Sequence, residues 1–337
     1  MKRVLVTGVA GFMGGHLAKK FLAEGDEVLG IDNLVGGYQE NVPLGTQFIK
    51  ADLNDFDSIV AFFSGIDVVV HSACTAYEGL SVFSPSIITR NTFQITANAV
   101  SASIAGGVKK FVNMSSMARY GTQKSLPFVE DMTPMPQDPY GIAKYASELL
   151  LANLSKVHDM KFVTVVPHNI IGPGQKYDDP YRNVASIMAN RMLQGKQPII
   201  YGSGNQKRCF SFMSDVVEPM SRICNTDVAD GMTINIGPDE EFITINELAR
   251  RIAKIISFQL DPIYLPERPQ EVFHANCSAN LARNLLDYRT TTSLDDGLSE
   301  LVAWIEKRGP RKFNFHLPVE IRRESTPITW TTDLLNQ

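Results

Sequence analysis

The chain is 337 residues long, 44% hydrophobic and 20% charged, with a formal net charge of −4 and a pI near 5.9. That length gives ample material for a buried core and allows one large domain or two smaller ones. The mild acidity gives no reason to expect nucleic acid or an anionic membrane as a partner, and no apolar run approaches a membrane span.

The charged start, Met1-Lys2-Arg3, precedes an apolar stretch too short for a signal h-region, so residues 3–7 read as a first strand. Gly8-Val9-Ala10-Gly11-Phe12-Met13-Gly14 follows, then a helical pattern through Leu22, then a strand over 27–31 that ends at Asp32. Strand, glycine-rich turn, helix, strand and acid together predict a dinucleotide site, with backbone N–H groups at the helix start facing the pyrophosphate. Asp32 lies 18 residues past Gly14, where a carboxylate accepts hydrogen bonds from a ribose 2′-hydroxyl and repels a 2′-phosphate. NAD is therefore expected rather than NADP.

The alternation continues with strands at 47–50, 67–71, 109–114 and 161–166, and with helices at 55–63 and 85–105. Repeated βα units predict a Rossmann-type doubly wound parallel sheet, whose ligands sit at the carboxyl ends of the strands. Three such ends stand out: Ala73-Cys74-Thr75, Ser115-Ser116 and Pro167-His168-Asn169. Beyond about residue 170 turn signals crowd in, with helical patterns at 183–193, 215–224, 246–256 and 294–307. The expected division is an NAD-binding domain over 1–170, to which later segments can return, and a smaller mixed α/β substrate-binding region with a C-terminal tail over 171–337. The last thirty residues, rich in aromatics and proline without periodicity, read as an ordered tail of unassigned role. Cys74, Cys209, Cys224 and Cys277 are scattered, which fits neither a zinc site nor a disulfide framework and points to a reduced, cytoplasmic setting.

Tyr140 and Lys144 are four residues apart, so on a helix they share a face. A phenol ionises near pH 10, and a neighbouring ammonium favours the phenolate, which would make Tyr140 a proton acceptor. Alone, that spacing is most often just an exposed helical face.

Gly8-x-x-Gly11-x-x-Gly14, Asp32, Asp52-Leu53, Ser115-Ser116, Tyr140-x-x-x-Lys144 and Asn169 together resemble the extended short-chain dehydrogenase/reductases, in particular their nucleotide-sugar epimerase/dehydratase branch. The stretches from Tyr201 to Phe210, Ser214 to Val217 and Glu267 to Glu271 are similar to that branch's nucleotide-diphosphate-binding elements, so the resemblance runs nearly full length. It implies Tyr140 as base, Lys144 as the group that holds the cofactor ribose and depresses the Tyr140 pKa, and Ser116 as a hydrogen-bond partner of the reacting sugar hydroxyl. It implies an NAD site lined by Gly8, Gly11, Phe12, Met13, Gly14, Asp32, Asn33, Asp52, Leu53, Ala73, Ser115, Tyr140, Lys144 and Pro167. Ser116, Asn169, Asn183, Arg208 and Arg268 would contact the nucleotide sugar, and the two guanidinium forks suit a pyrophosphate.

The branch's 4,6-dehydratases carry an Asp-Glu pair right after the catalytic Ser/Thr, where this chain has Met117 and Ala118. Neither transfers a proton, so the resemblance favours C4 epimerisation of a UDP-sugar through a 4-keto intermediate. An NAD-dependent decarboxylase, dehydratase or 4-ketoreductase is the alternative enzyme, and a non-catalytic dinucleotide sensor the alternative from another class. The branch often has Arg where Val166 stands and an acid where Cys209 stands, departures that bear on the substrate. His168 reads equally well as a sugar contact or as a packed histidine. No metal is expected. A homodimer is expected through the helices near 85–105 and 140, where Ala97, Ala99, Val100, Ala102 and Ile104 on the first and Ala143, Ala146, Leu149 and Leu150 on the second could equally face the sheet.

Overall fold

The computed structural model describes residues 1–337. Its strands in chain order are β1 (Arg3–Thr7), β2 (Glu27–Asp32), β3 (Gln47–Lys50), β4 (Val68–His71), β5 (Lys110–Met114), β6 (Lys161–Pro167) and β7 (Ile170–Ile171). Then follow β8 (Ile199–Tyr201), β9 (Lys207–Arg208), β10 (Ser211–Phe212), β11 (Thr233–Ile236), β12 (Ile243–Thr244), β13 (Ile263–Leu265) and β14 (His274–Ala275). Helices α1 (Phe12–Ala23), α2 (Phe56–Ile59), α3 (Glu78–Ser81), α4 (Pro85–Thr89), α5 (Ile95–Ala105) and α6 (Pro139–His158) belong to the first half. The second half holds α7 (Val184–Leu193), α8 (Met213–Asn225), α9 (Ile245–Ile256), α10 (Asn280–Leu286), α11 (Leu294–Arg308) and α12 (Ile328–Thr331).

Seven strands form one parallel sheet in the order β11-β6-β5-β4-β1-β2-β3. Every residue of β4 and β5 is buried, as a parallel strand covered on both faces requires. Alternate residues feed opposite cores. Val4, Val6, Val68, Val70, Val112 and Met114 pack with α1 and α8, whereas Leu5, Val69 and Phe111 pack with α5 and Leu151 of α6. A third core gathers α7, α9 and α11. The chain reverses its direction of travel across the sheet at β1, between β4 and β2, which opens a crevice at their carboxyl ends. The strand at 233–236 lies far along the chain yet pairs with β6.

Two expected elements differ. The helix at 85–105 is three pieces, because a π turn over Arg90–Gln94 joins α4 to α5. There the Asn91 carbonyl accepts the Thr75 amide (3.2 Å), which ties the helix to the loop leaving β4. The helix at 55–63 is α2 followed by a 3₁₀ turn over Val60–Phe63. The residues named on the two helix faces divide: Ala99, Val100, Ala102 and Ala143 are buried within this single chain, Ala97, Ile104, Ala146 and Leu150 are half-buried, and Leu149 is exposed, as are Ile142 and Val157 of α6. No helix is long and apolar enough to cross a membrane.

Candidate active site

The turn after β1 sets the floor of the crevice. Gly8 takes φ +73°, and a Cβ there would sit 2.8 Å from the Ala73 backbone; a Cβ on Gly14 would meet the Gly8 carbonyl at 2.2 Å. Only glycines allow helix and strand to approach so closely. Gly11 opens α1 without a side-chain cap, which leaves its first amides for an anion. Asp32 accepts from the Ala10 amide (3.0 Å) and the Leu34 amide (2.7 Å) at the mouth of β2. Burial pushes its carboxyl up, and those backbone donors pull it back. Asp52 is held by the Asn54 amide (2.9 Å), and Asn98 holds the Leu53 carbonyl (2.8 Å).

The candidate base, Tyr140, stands at the start of α6. Asp138 caps that helix by accepting from the Gly141 amide (2.9 Å), and Pro139 occupies the first turn, where its missing N–H costs nothing. Tyr140 and Lys144 therefore point together into the crevice, and both are buried. Lys144 Nζ donates to the Met114 carbonyl (2.7 Å) and lies 5.8 Å from the Tyr140 ring centroid. Ser116 is fixed beside the phenol by a 3₁₀ turn in which its hydroxyl accepts from the Ala118 amide (3.2 Å).

A buried ion pair clamps this loop to α6. Arg119 Nε donates to both Glu148 oxygens (3.0 Å each), Arg119 Nη2 lies 3.0 Å from Glu148, and the Ser115 hydroxyl also donates to Glu148. Burial raises the Glu148 carboxyl while Arg119 draws it down, and Arg119 stays cationic.

The depressed phenol pKa expected from the Tyr-Lys spacing is not found. Burial holds Tyr140 well above the usual phenol range; Cys74, Glu78 and Asp138 push the same way, and only Ser116 opposes them. Burial is the main cause, and Lys144 does little to offset it because its ammonium is spent on the Met114 carbonyl and stands off the ring.

A single cavity of about 490 Å³ takes in the cofactor, base and sugar-nucleotide residues that the family resemblance implies: Gly8, Gly11, Phe12, Met13, Gly14, Asp32, Asn33, Asp52, Leu53, Ala73, Ser115, Ser116, Tyr140, Lys144, Pro167, Asn169, Asn183, Arg208 and Arg268. Asn169 donates to the Cys209 carbonyl (3.0 Å), and Asn183 also caps α7 by accepting from the Ala185 amide (3.0 Å). Arg208 and Arg268 converge on Glu271: Arg268 Nε donates to it at 3.2 Å, and Arg208 Nη2 forms an ion pair with it at 3.8 Å. Arg268 also stacks 5.2 Å over Tyr201. His168 lies outside the cavity wall: it is buried, its Nδ1 is 3.4 Å from the Pro238 carbonyl, and burial lowers it to about 4, so it is a packed neutral ring.

Four wall residues had no sequence signal. Glu78 lines the cavity with no side-chain hydrogen bond; burial, helped by the Asp138 and Glu271 carboxylates and opposed by Arg208 and Arg268, raises it to about 7. Arg182 reaches back to donate to the Gly36 carbonyl (2.7 Å) and lies over Tyr77 (4.9 Å). Tyr77 donates to Asp179 (2.5 Å), and Trp330 comes from the tail. Each sits in a stretch without motif or periodicity.

Comparison with known proteins gives a consistent picture. The family model for the NAD dependent epimerase/dehydratase family matches residues 4–237. The UDP-glucose 4-epimerase of Mycolicibacterium smegmatis is 30% identical over 316 residues, covering 91% of this chain and 99% of that protein. The crystal structure of Thermotoga maritima UDP-glucose 4-epimerase with UDP-glucose superposes with a TM-score of 0.85 at 29% identity, covering 91% of this chain and 99% of the other. The Thermus thermophilus UDP-glucose 4-epimerase complex with NAD gives 0.84 at 28% identity, over 90% of this chain and 99% of that one.

Proposed function

This chain belongs to the NAD-dependent epimerase/dehydratase family, and on that premise we propose that it interconverts C4 epimers of a nucleotide-diphosphate sugar, a UDP-sugar being favoured. The observation that carries the reading is Tyr140, Ser116 and Lys144 at one point of the cavity, next to Met117 and Ala118, which offer no proton transfer. Dehydration needs an acid and a base at those places; reversal of one alcohol centre does not.

The Asp32 carboxylate, the uncapped start of α1 and the close glycine turn fit NAD, and a 2′-phosphate would meet the negative charge of Asp32. When bound, NAD supplies a reversible hydride acceptor and a cationic ring that offsets the burial of the phenol. As the phenolate, which that cationic ring would favour, Tyr140 Oη would take the proton of the 4-hydroxyl as C4 gives up hydride and becomes a carbonyl, and would return it when hydride comes back to the other face of the turned sugar. Ser116 holds that oxygen in line, and Lys144, anchored on the Met114 carbonyl, would hold the cofactor ribose. Arg208 and Arg268 grip the diphosphate, so that only the sugar is free to rotate. The Glu148 clamp keeps Ser116 in register with α6.

The test is incubation with UDP-, GDP- and dTDP-sugars without added cofactor. C4 epimers with no net NADH and no carbon dioxide support the reading; consumption of NADH, release of carbon dioxide, or no turnover of any sugar sinks it. We also propose a homodimer through the exposed α6 residues Ile142 and Leu149, for which Leu149→Glu should shift the sedimenting mass to one chain. Four free cysteines, three of them buried, accord with a reducing compartment such as the cytoplasm.

A further inference from the structure

The C-terminal tail carries more order than a surface segment needs. It crosses the mouth of the cavity and is tied down on both sides. On the sheet side, Glu320 accepts from the Ser86 and Ile87 amides (2.9 Å each), and Ser84 donates to the Pro318 carbonyl (2.8 Å). On the opposite side, Arg191 donates to the Leu334 carbonyl (3.1 Å) and to the Leu335 carbonyl, and Lys196 donates to the Asn336 carbonyl. Arg191 is 2% exposed and faces no carboxylate; its Nε donates to the Gln197 carbonyl (2.8 Å), and the tail supplies the partners of its Nη1.

Between these anchors, Thr329, Trp330 and Leu335 are buried against the protein yet line the cavity. Thr329 shares a hydrogen bond with the Tyr201 hydroxyl (2.6 Å). Trp330 packs against Phe83 (5.9 Å) and Tyr181 (5.8 Å), in the same apolar cluster as Tyr140. A Cβ on Gly79 would meet the indole at 3.3 Å and the Arg268 guanidinium at 3.5 Å, which puts the ring and that arginine side by side over Gly79. Leu335 lies farther on, in an apolar cluster with Ile199, Phe313, Ile187 and Tyr201. Alignments that take in 99% of each relative leave about a tenth of this chain unmatched, and the tail lies beyond the family match that ends at residue 237.

We propose that residues 312–337 are a fixed wall of the nucleotide-sugar site, with Trp330 against the sugar and Leu335 against the nucleoside base, so that the tail decides which nucleotide sugars fit. This rests on the nucleotide-sugar reading of the cavity. A planar base needs an apolar slot beyond the diphosphate, which Leu335, Ile187 and Ile199 provide. A sugar substituent meets the rigid indole edge, where a difference of a few atoms changes the fit.

The experiment uses the NAD-loaded full chain and its Leu335→Ala, Thr329→Val and Trp330→Ala variants. UDP affinity is measured by calorimetry, and kcat/KM for a hydroxyl and an acetamido sugar. The wall predicts that Leu335→Ala weakens UDP roughly tenfold with NAD content unchanged, and that Trp330→Ala shifts the acetamido-to-hydroxyl ratio roughly fivefold or more. If Trp330→Ala does not fold, Leu335→Ala and Thr329→Val decide. Folded variants that keep the parental UDP affinity and sugar ratio overturn the wall alone. A parent that neither binds UDP nor converts any nucleotide sugar overturns the reading of the cavity instead.

Discussion

Replacing Glu148 by Gln is the sharpest test of how the site is held. The substitution keeps size and leaves an oxygen for Ser115, but removes the charge that faces Arg119. Arg119 is 5% exposed, so the guanidinium would be left away from bulk solvent with no charge facing it. Breaking a buried pair by removing one partner costs about 3–5 kcal/mol. At an unfolding entropy of about 2.1 cal/mol/K per residue, 337 residues give about 0.7 kcal/mol/K, so the midpoint should fall by roughly 4–7 °C. Calorimetry measures it directly. The double variant Arg119→Met with Glu148→Met should recover most of that loss, because an apolar pair of similar volume carries no stranded charge. Since the pair also positions Ser116, turnover should fall in Glu148→Gln with NAD binding unchanged. A midpoint within about 1 °C of the parent would refute the claim that this pair clamps the loop.

Tyr140→Phe should lower kcat roughly a hundred- to ten-thousand-fold while NAD and UDP still bind, measured by steady-state kinetics and calorimetry; wild-type turnover would remove Tyr140 as the base. Glu78, raised to about 7 among Asp138, Arg208, Arg268 and Glu271, is neutral below that pH and anionic above it. Nucleotide-sugar affinity should therefore weaken as pH rises through 7, and Glu78→Gln should flatten the profile; an unchanged profile in the variant argues against it. His71, buried between Thr7 and Thr96, and His168 are lowered by burial to about 3 and about 4. Their folded values lie below the unfolded value near 6.5, so the unfolded chain takes up protons first. Stability present above 6.5 should fall progressively as pH drops through 4, and urea unfolding of His168→Asn against the parent should show a shallower acid slope.

The alternation of short apolar strands and helical stretches made the doubly wound sheet legible, because period-2 and period-3.6 patterns are written into neighbouring residues. The same holds for the Gly8–Gly14 turn, for Asp32 at the end of β2 and for Tyr140 with Lys144 on α6: each depends on contacts a few residues apart. The π turn at Arg90–Gln94 was not legible, since it answers to a carbonyl that Thr75 claims from outside the helix. Nor was the face of Ala99 and Ala102, which small size alone leaves open.

By itself, then, the sequence determined the layered fold, the dinucleotide turn and the shared helix face of Tyr140 and Lys144, all encoded by local spacing. Tertiary structure alone decided that the phenol is raised rather than depressed, that Arg119 faces Glu148, that Glu78 and Arg182 look into the cavity, and that the tail walls it. Those outcomes depend on desolvation, which sums over every atom around a group, and on approaches such as Arg191 to Leu335 across 144 residues. No periodicity spans such a distance.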